Sequence, residues 1–268
     1  MAEGADDQRL DPRIRAMLSN MPQPAPNPAT TREEMVARAN SPEANERAAM
    51  VQKLFSQIDT EPLAPTKGLD ISTHEFTSQP DGNTVKIQLI KPEGSSSLPC
   101  VYYIHGGGMQ DFSCFDAMYR TWGRLLAHQG MAIAMVDFRN SLRASSAPEI
   151  EPFPAGLNDC VSGVRWVSEN AGKLGIDKDK IIVAGESGGG NLTLATGLKL
   201  NRDGDIGLVR GLYALCPYIA GKWPDERLPS STENNGILLH LEGMGAAIAY
   251  GIEAYEAKDP LAWPLFAS

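Results

Sequence analysis

The sequence predicts an α/β fold: a mostly parallel sheet with helices on both faces. Three observations predict it. Short, nearly all-apolar runs recur at 101–104, 132–136, 181–184 and 211–215, and runs this short and apolar suit strands buried on both faces. Helical text separates them at 119–129, 156–171 and 191–200. Two strand-like segments, 69–78 and 84–90, precede them. Strand–helix alternation of this kind implies right-handed crossovers between neighbouring parallel strands.

Along the chain, residues 11–60 read as helical but interrupted. Residues 13–18 form a short amphipathic turn, and Pro22, Pro24, Pro26 and Pro28 then break the chain. A better helix starts after Ser41, a suitable N-cap, with Pro42 at the first helical position. Glu43 adds negative charge where the helix dipole favours it, and Ala44 at the third position leaves no capping box. Met50, Val51, Leu54, Phe55 and Ile58 recur at helical spacing and predict a packing face. The hairpin then turns at 80–83, Pro-Asp-Gly-Asn. Alternation over 85–90 predicts one wet face, as antiparallel strands at a sheet edge have.

Composition narrows the function classes. Of 268 residues, 42% are hydrophobic and 21% charged, ordinary for a globular chain. A net charge of −9 argues against a nucleic-acid partner, which needs clustered Lys and Arg. The acidic start predicts no secretory leader, and no apolar run approaches a membrane span. Cys100, Cys114, Cys160 and Cys216 are far apart, which suggests neither a zinc site nor a disulfide framework. They predict buried or half-buried thiols and a cytoplasmic setting. No metal or cofactor is expected. Self-association as a homodimer is permitted by the sequence but not required by it.

Gly185-Glu186-Ser187-Gly188-Gly189-Gly190 contains Gly-x-Ser-x-Gly between an apolar strand and a helix-forming stretch. That setting is a nucleophile elbow, in which small residues let the backbone turn sharply and leave the serine exposed. A following helix points its amino end at developing negative charge. Taken alone, the pattern could equally be a glycine-rich turn without chemistry. Neither glycine cluster extends to a dinucleotide fingerprint or a phosphate loop. A second feature decides between them: His105-Gly106-Gly107-Gly108 directly follows the apolar run 100–104. Acyl transfer passes through a tetrahedral oxyanion, and preorganised backbone N–H groups beside a serine serve that chemistry.

With these residues the chain resembles the bacterial hormone-sensitive-lipase-like esterases of the α/β-hydrolase superfamily. The resemblance runs from about residue 101 to the end. It also takes in Val136-Asp137-Phe138-Arg139-Asn140 and the stretch 153–160, Phe-Pro-Ala-Gly-Leu-Asn-Asp-Cys. The family more often has Asp-Ser-Ala where this chain has Glu186-Ser187-Gly188. It usually has Tyr-Arg-Leu-Ala-Pro-Glu where this chain reads Phe138-Arg139-Asn140-Ser141. Both departures resemble the subgroup that includes brefeldin A esterase. The resemblance implies Ser187 as nucleophile and Gly107, Gly108 and Gly188 as oxyanion hole, with Gly106 shaping the loop. It implies a helical cap segment over residues 1–68 and a hydrolase core over 69–268, with a cap insertion at about 218–255. His105 is expected to orient the oxyanion loop and Glu186 to hydrogen-bond neighbouring loops.

A nucleophilic serine needs a base and an orienting acid, and the family order is Ser, then Asp or Glu, then His. Only His240 follows Ser187 among the four histidines, and it falls in the expected cap insertion. His74 and His128 read as surface or packing residues. Asp259-Pro260-Leu261-Ala262-Trp263-Pro264 resembles a motif that precedes the acid-bearing strand. The acid and base are therefore expected beyond Ser268, in a core incomplete at its C-terminal side, and the chain alone is expected to be nearly inactive. The expected activity is hydrolysis of short to medium acyl esters or lactones, small molecules all. The alternatives are a non-catalytic small-ligand binder on the same fold, or an amidase or peptidase. Asn191-Leu192-Thr193 matches a glycosylation sequon but falls in the helix after the elbow. Met109, Tyr218 and Trp223 are candidate pocket residues or packing residues.

Overall fold

A computed structural model of the protein describes residues 7–19, 29–235, 237 and 243–268. Among these, six strands form one sheet in the order β1-β2-β4-β3-β5-β6. They are β1 (Leu69–Thr77), β2 (Thr84–Pro92), β3 (Leu98–Ile104), β4 (Ala132–Asp137), β5 (Ile176–Glu186) and β6 (Gly211–Leu215). β2 is antiparallel to β1 and β4, and the remaining pairs are parallel. The mostly parallel sheet expected from the apolar runs is therefore present, with the hairpin at one edge.

Helices cover both faces. α4 (Ala117–Ala127) packs Tyr119 and Ala127 with Tyr103, Ile133 and Met135 on one side. α5 (Ala155–Leu174) and α6 (Gly188–Asp203) close the other, where Val161, Val164, Leu192 and Ala195 meet Tyr102, Ile104 and Val136. Phe76 at the end of β1 lies against Trp166 of α5. β2 is wetter in sequence than in space. Lying between β1 and β4, it buries even Gln88. The edge is β1, whose central residues face water.

Among the described residues, three helices precede the sheet: α1 (Pro12–Ser19), α2 (Arg32–Ala39) and α3 (Pro42–Ser56). The predicted cap of α3 is in place, since the Ser41 side chain accepts from the Ala44 N–H with Pro42 at the helix start. Its apolar stripe is not the packing face its spacing predicts. No residue of α3 is buried, and Met50 and Leu54 are 67% and 61% exposed. Spacing shows that one face is apolar, whereas burial needs a neighbour to cover it. α2 is the better anchored helix. Met35 packs with Leu142 and Ala249, Arg32 donates to the Ser141 and Ile150 carbonyls at 3.0 Å, and Asn40 donates to the Leu142 carbonyl.

After β6 come α7 (Pro229–Glu233), α8 (Gly245–Tyr250) and α9 (Ile252–Glu256). Tyr250 and Trp263 meet edge to face and join the main core. β6 itself departs from the expectation of a strand buried on both faces: it is the second sheet edge, and Tyr213 is 60% exposed. Cys100, Cys114 and Cys160 are buried as expected, and burial pushes the Cys100 thiol up to about 12, but Cys216 is exposed. No helix among the described residues is long and apolar enough to cross a membrane.

Candidate active site

Parallel pairing of β3 with β5 sets Ile104 opposite Gly185. The two strands therefore end side by side, and the loops leaving them, 105–108 and 186–188, must meet. Ser187 occupies the turn between β5 and α6 with φ 54° and ψ −116°. A non-glycine residue in this region is strained by about 1–3 kcal/mol and persists only where its surroundings hold it. Here three backbone bonds do so. Ser187 N–H donates to the Leu215 carbonyl at 3.0 Å, and its own carbonyl accepts from Asn191 and Tyr218 N–H. Ser187 is partly exposed, and its hydroxyl has no hydrogen-bond partner among the described residues.

The glycines on both loops are there for space as much as for torsion. A side chain on Gly188 would come within 2.6 Å of the Gly108 and Met109 nitrogens, and one on Gly189 would overlap the Ile104 carbonyl oxygen. Gly107, at φ 93°, sits where L residues rarely go and has the Phe112 ring 2.8 Å from the place of a side chain.

Each peptide plane of the loop is fixed at one end. The His105 ring Nδ1 is 2.9 Å from the Gly106 carbonyl and donates to it, so the Gly107 N–H, on the opposite side of a planar trans peptide, points away. The Gly107 carbonyl accepts from Gln110 and Asp111 N–H, which turns the Gly108 N–H outward in the same way. Gly106 N–H donates to Glu186 Oε1 at 2.8 Å and lies 3.0 Å from the Tyr119 hydroxyl. By contrast, the N–H groups of Gly107, Gly108 and Gly188 have no acceptor among the described residues.

Two carboxylates, Glu186 half-buried and Asp137 fully buried, support this arrangement. Glu186 accepts from the hydroxyls of Tyr103 and Tyr119 as well as from Gly106. Burial, reinforced by the neighbouring carboxylate, pushes both phenols up and keeps them protonated donors. Asp137, at the end of β4, accepts from the Ser113 hydroxyl and from Cys114 and Ser146 N–H at 2.7–2.8 Å. Its Oδ1 is 3.9 Å from His105 Nε2. His105 is fully buried, stacked on Phe138 with ring centroids 4.3 Å apart. Sequence reasoning missed Tyr103, Tyr119 and Asp137. The available signal was a tyrosine in an otherwise apolar strand, since a buried hydroxyl needs a partner.

The structure thus brings Ser187, Gly188, Glu186 and residues 105–108 together. His74 contacts Ser72 and Trp166, and His128 the Pro65 carbonyl, so both are local packing residues. His240 lies outside the described residues. Met109 is buried at φ 63° beneath the loop, and Tyr218 is half-buried beside Ser187. Asn191 is fully buried, its side-chain amide donating to the Tyr218 and Ala262 carbonyls, which leaves no room for a glycan. A groove of about 1020 Å³ between α3 and residues 111–116 is lined by Ala48, Val51, Phe112 and Arg143 and contains no residue of the elbow. Among the described residues, no group of three His, Cys, Asp or Glu is arranged to hold a metal ion.

Known proteins share this arrangement of chain. The alpha/beta hydrolase fold family matches residues 101–268. Carboxylesterase NlhH of Mycobacterium tuberculosis is 34% identical over 171 residues, 63% of this chain and 49% of that protein. The chain spans about half the length of the curated relatives it matches. The solved structure of esterase Est22 superposes with a TM-score of 0.94 at 56% identity, covering 98% of this chain and 77% of that one. Brefeldin A esterase, described as a bacterial homologue of human hormone-sensitive lipase, superposes at 0.82 with 33% identity, covering 99% and 74%.

Proposed function

The chain belongs to the α/β-hydrolase family, among its hormone-sensitive-lipase-like esterases, and from that premise we propose that it hydrolyses small carboxylic esters with Ser187 as nucleophile. The observation that carries this reading is the strained elbow. Ser187 is held at a positive φ with its hydroxyl uncommitted, beside three backbone N–H groups, and none of these has a partner among the described residues. Strain kept at a position with free donors around it is an arrangement suited to chemistry.

In the proposed reaction Ser187 Oγ attacks the ester carbonyl carbon and its proton passes to a base. The carbonyl oxygen becomes an oxyanion, hydrogen-bonded by the N–H groups of Gly107, Gly108 and Gly188, one such donor being worth about 3 kcal/mol. The amino end of α6 adds its dipole. The tetrahedral species expels the alcohol, which takes the proton from the base, and leaves an acyl-serine. Water attacks that ester in turn, releasing the acid and restoring Ser187. Short to medium acyl esters and lactones are the proposed substrates.

The base and its orienting acid are proposed to come from outside the described residues, because His74, His105 and His128 are each engaged elsewhere. Loss of such a base costs on the order of a millionfold in turnover. The uncommitted hydroxyl also favours a second reading, a non-catalytic binder of small ligands in the same place.

Hydrolysis of p-nitrophenyl acetate and butyrate by the complete gene product, with Ser187→Ala alongside, separates the two. The expected outcome is turnover that the substitution removes. Turnover that survives Ser187→Ala, or none from the wild type, rejects the esterase reading. Matched anilides test amidase activity, for which slower turnover is expected.

A further inference from the structure

Glu186 precedes the nucleophile in sequence and touches the loop that faces it in space. Its Oε1 accepts from Gly106 N–H and from the Tyr119 hydroxyl, both at 2.8 Å, and its Oε2 accepts from Tyr103. The three donors come from three different elements: the 105–108 loop, α4 and β3. A carboxylate so placed joins the elbow to the glycine loop through one side chain. We infer that Glu186 is a positioning residue, which sets the distance between Ser187 and the N–H groups of Gly107 and Gly108 by fixing Gly106. The inference rests on the reading of Ser187 and these glycines given above.

Geometry supports this in two further ways. A side chain on Gly106 would come 2.5 Å from Glu186 Oε1, so the loop and the carboxylate are already in contact with no slack between them. The other peptides of the loop are fixed at their carbonyls by His105 Nδ1 and by Gln110 and Asp111 N–H. Gly106 N–H is therefore the tie that references the loop to the nucleophile, not merely to itself. A negative charge beside a developing oxyanion works against it, and the three donors to Glu186 offset that charge. The role assigned is consequently geometric, carried by an acceptor oxygen and not by the charge.

That distinction gives the test, made on the complete gene product. Glu186→Leu keeps the volume and removes the acceptor, while Glu186→Gln keeps one acceptor oxygen without the charge. For Glu186→Leu, kcat is expected to fall about a hundredfold, the scale of losing one oxyanion donor, with KM within about twofold. Affinity for an alkyl boronic acid, which forms a tetrahedral adduct on the serine, is expected to fall in parallel with kcat. Glu186→Gln is expected to recover most of both. If the leucine variant does not fold, the double variant Tyr103→Phe/Tyr119→Phe, which removes two of the three donors that hold the carboxylate, is expected to lower kcat about tenfold with KM unchanged. Equal kcat for leucine and glutamine variants, or a boronate affinity unmoved by the leucine, overturns the inference. Turnover that survives Ser187→Ala instead removes the esterase reading on which it stands.

Discussion

At the scale of single residues, the glycines around Ser187 are constrained by contact with backbone, which cannot step aside as a side chain can. A methyl on Gly189 overlaps the Ile104 carbonyl oxygen and comes 2.6 Å from that of His105, so α6 must move away from β3 to admit it. Gly189→Ala is therefore expected to cost about 3 kcal/mol or more by overpacking and to remove the proposed esterase activity. Gly172, exposed in the last turn of α5 with no atom near the place of a side chain, makes the contrast. Gly172→Ala is expected to leave activity unchanged and to stabilise by up to about 1 kcal/mol through helix propensity. Thermal melts of the two variants check both statements, and equal melting temperatures would sink the argument. The residues 105–108 and 185–190 were legible because glycine clusters at strand ends have few physical uses. Tyr103 and Tyr119 were not, because their role is set by a carboxylate about eighty and seventy positions away.

At the scale of elements, what the sequence reveals is local and what it hides is the neighbour. The strands were readable from apolar runs and the start of α3 from its Ser41-Pro42 cap, since both signals are contained within a few residues. The exposure of α3 and of β6 was not readable, because an apolar residue does not say which surface covers it. The segment linking α3 to the sheet shows how the N-terminal helices are held despite that exposure. Asp59 binds Arg120 and Arg124 of α4, and Arg124 also donates to the Ala64 carbonyl at 2.8 Å. Burial raises the Asp59 carboxyl, but hydrogen bonds from the two arginines outweigh it and bring it below the ordinary carboxylate value. Asp59→Asn removes the negative charge and leaves Arg124, itself buried, with neutral acceptors alone, the amide oxygen and the Ala64 carbonyl. The expected cost is about 2 kcal/mol, that of a hydrogen bond to a charged group. It should be seen as faster tryptic cleavage between residues 40 and 68, and unchanged cleavage would mean the helices are held by other contacts.

At the scale of the molecule, the hairpin, the central sheet and α5 converge on one buried arginine. Arg139, just past β4, makes a two-pronged pair with Asp159 of α5 at 2.9 Å and a third bond, at 2.7 Å, to Asp81 in the hairpin turn. Asn83 of the same turn donates to Asp159. The stretches 136–140 and 153–160 that carried the family resemblance are thus joined to the hairpin by charge, a connection no periodicity could announce. Asp81 is partly exposed, and the hydrogen bond from Arg139 holds its carboxyl below the ordinary range. Its folded pKa is therefore below its unfolded value of about 3.9. Stability from this contact is complete above the unfolded pKa and is lost as pH falls through the folded one. Asp81→Asn abolishes that titration. The wild type is expected to lose melting temperature more steeply than Asp81→Asn as pH falls from about 5 towards 3, although it is the more stable at pH 7. Parallel melting curves for the two proteins across that range would show that the hairpin is not held to the core by this charge.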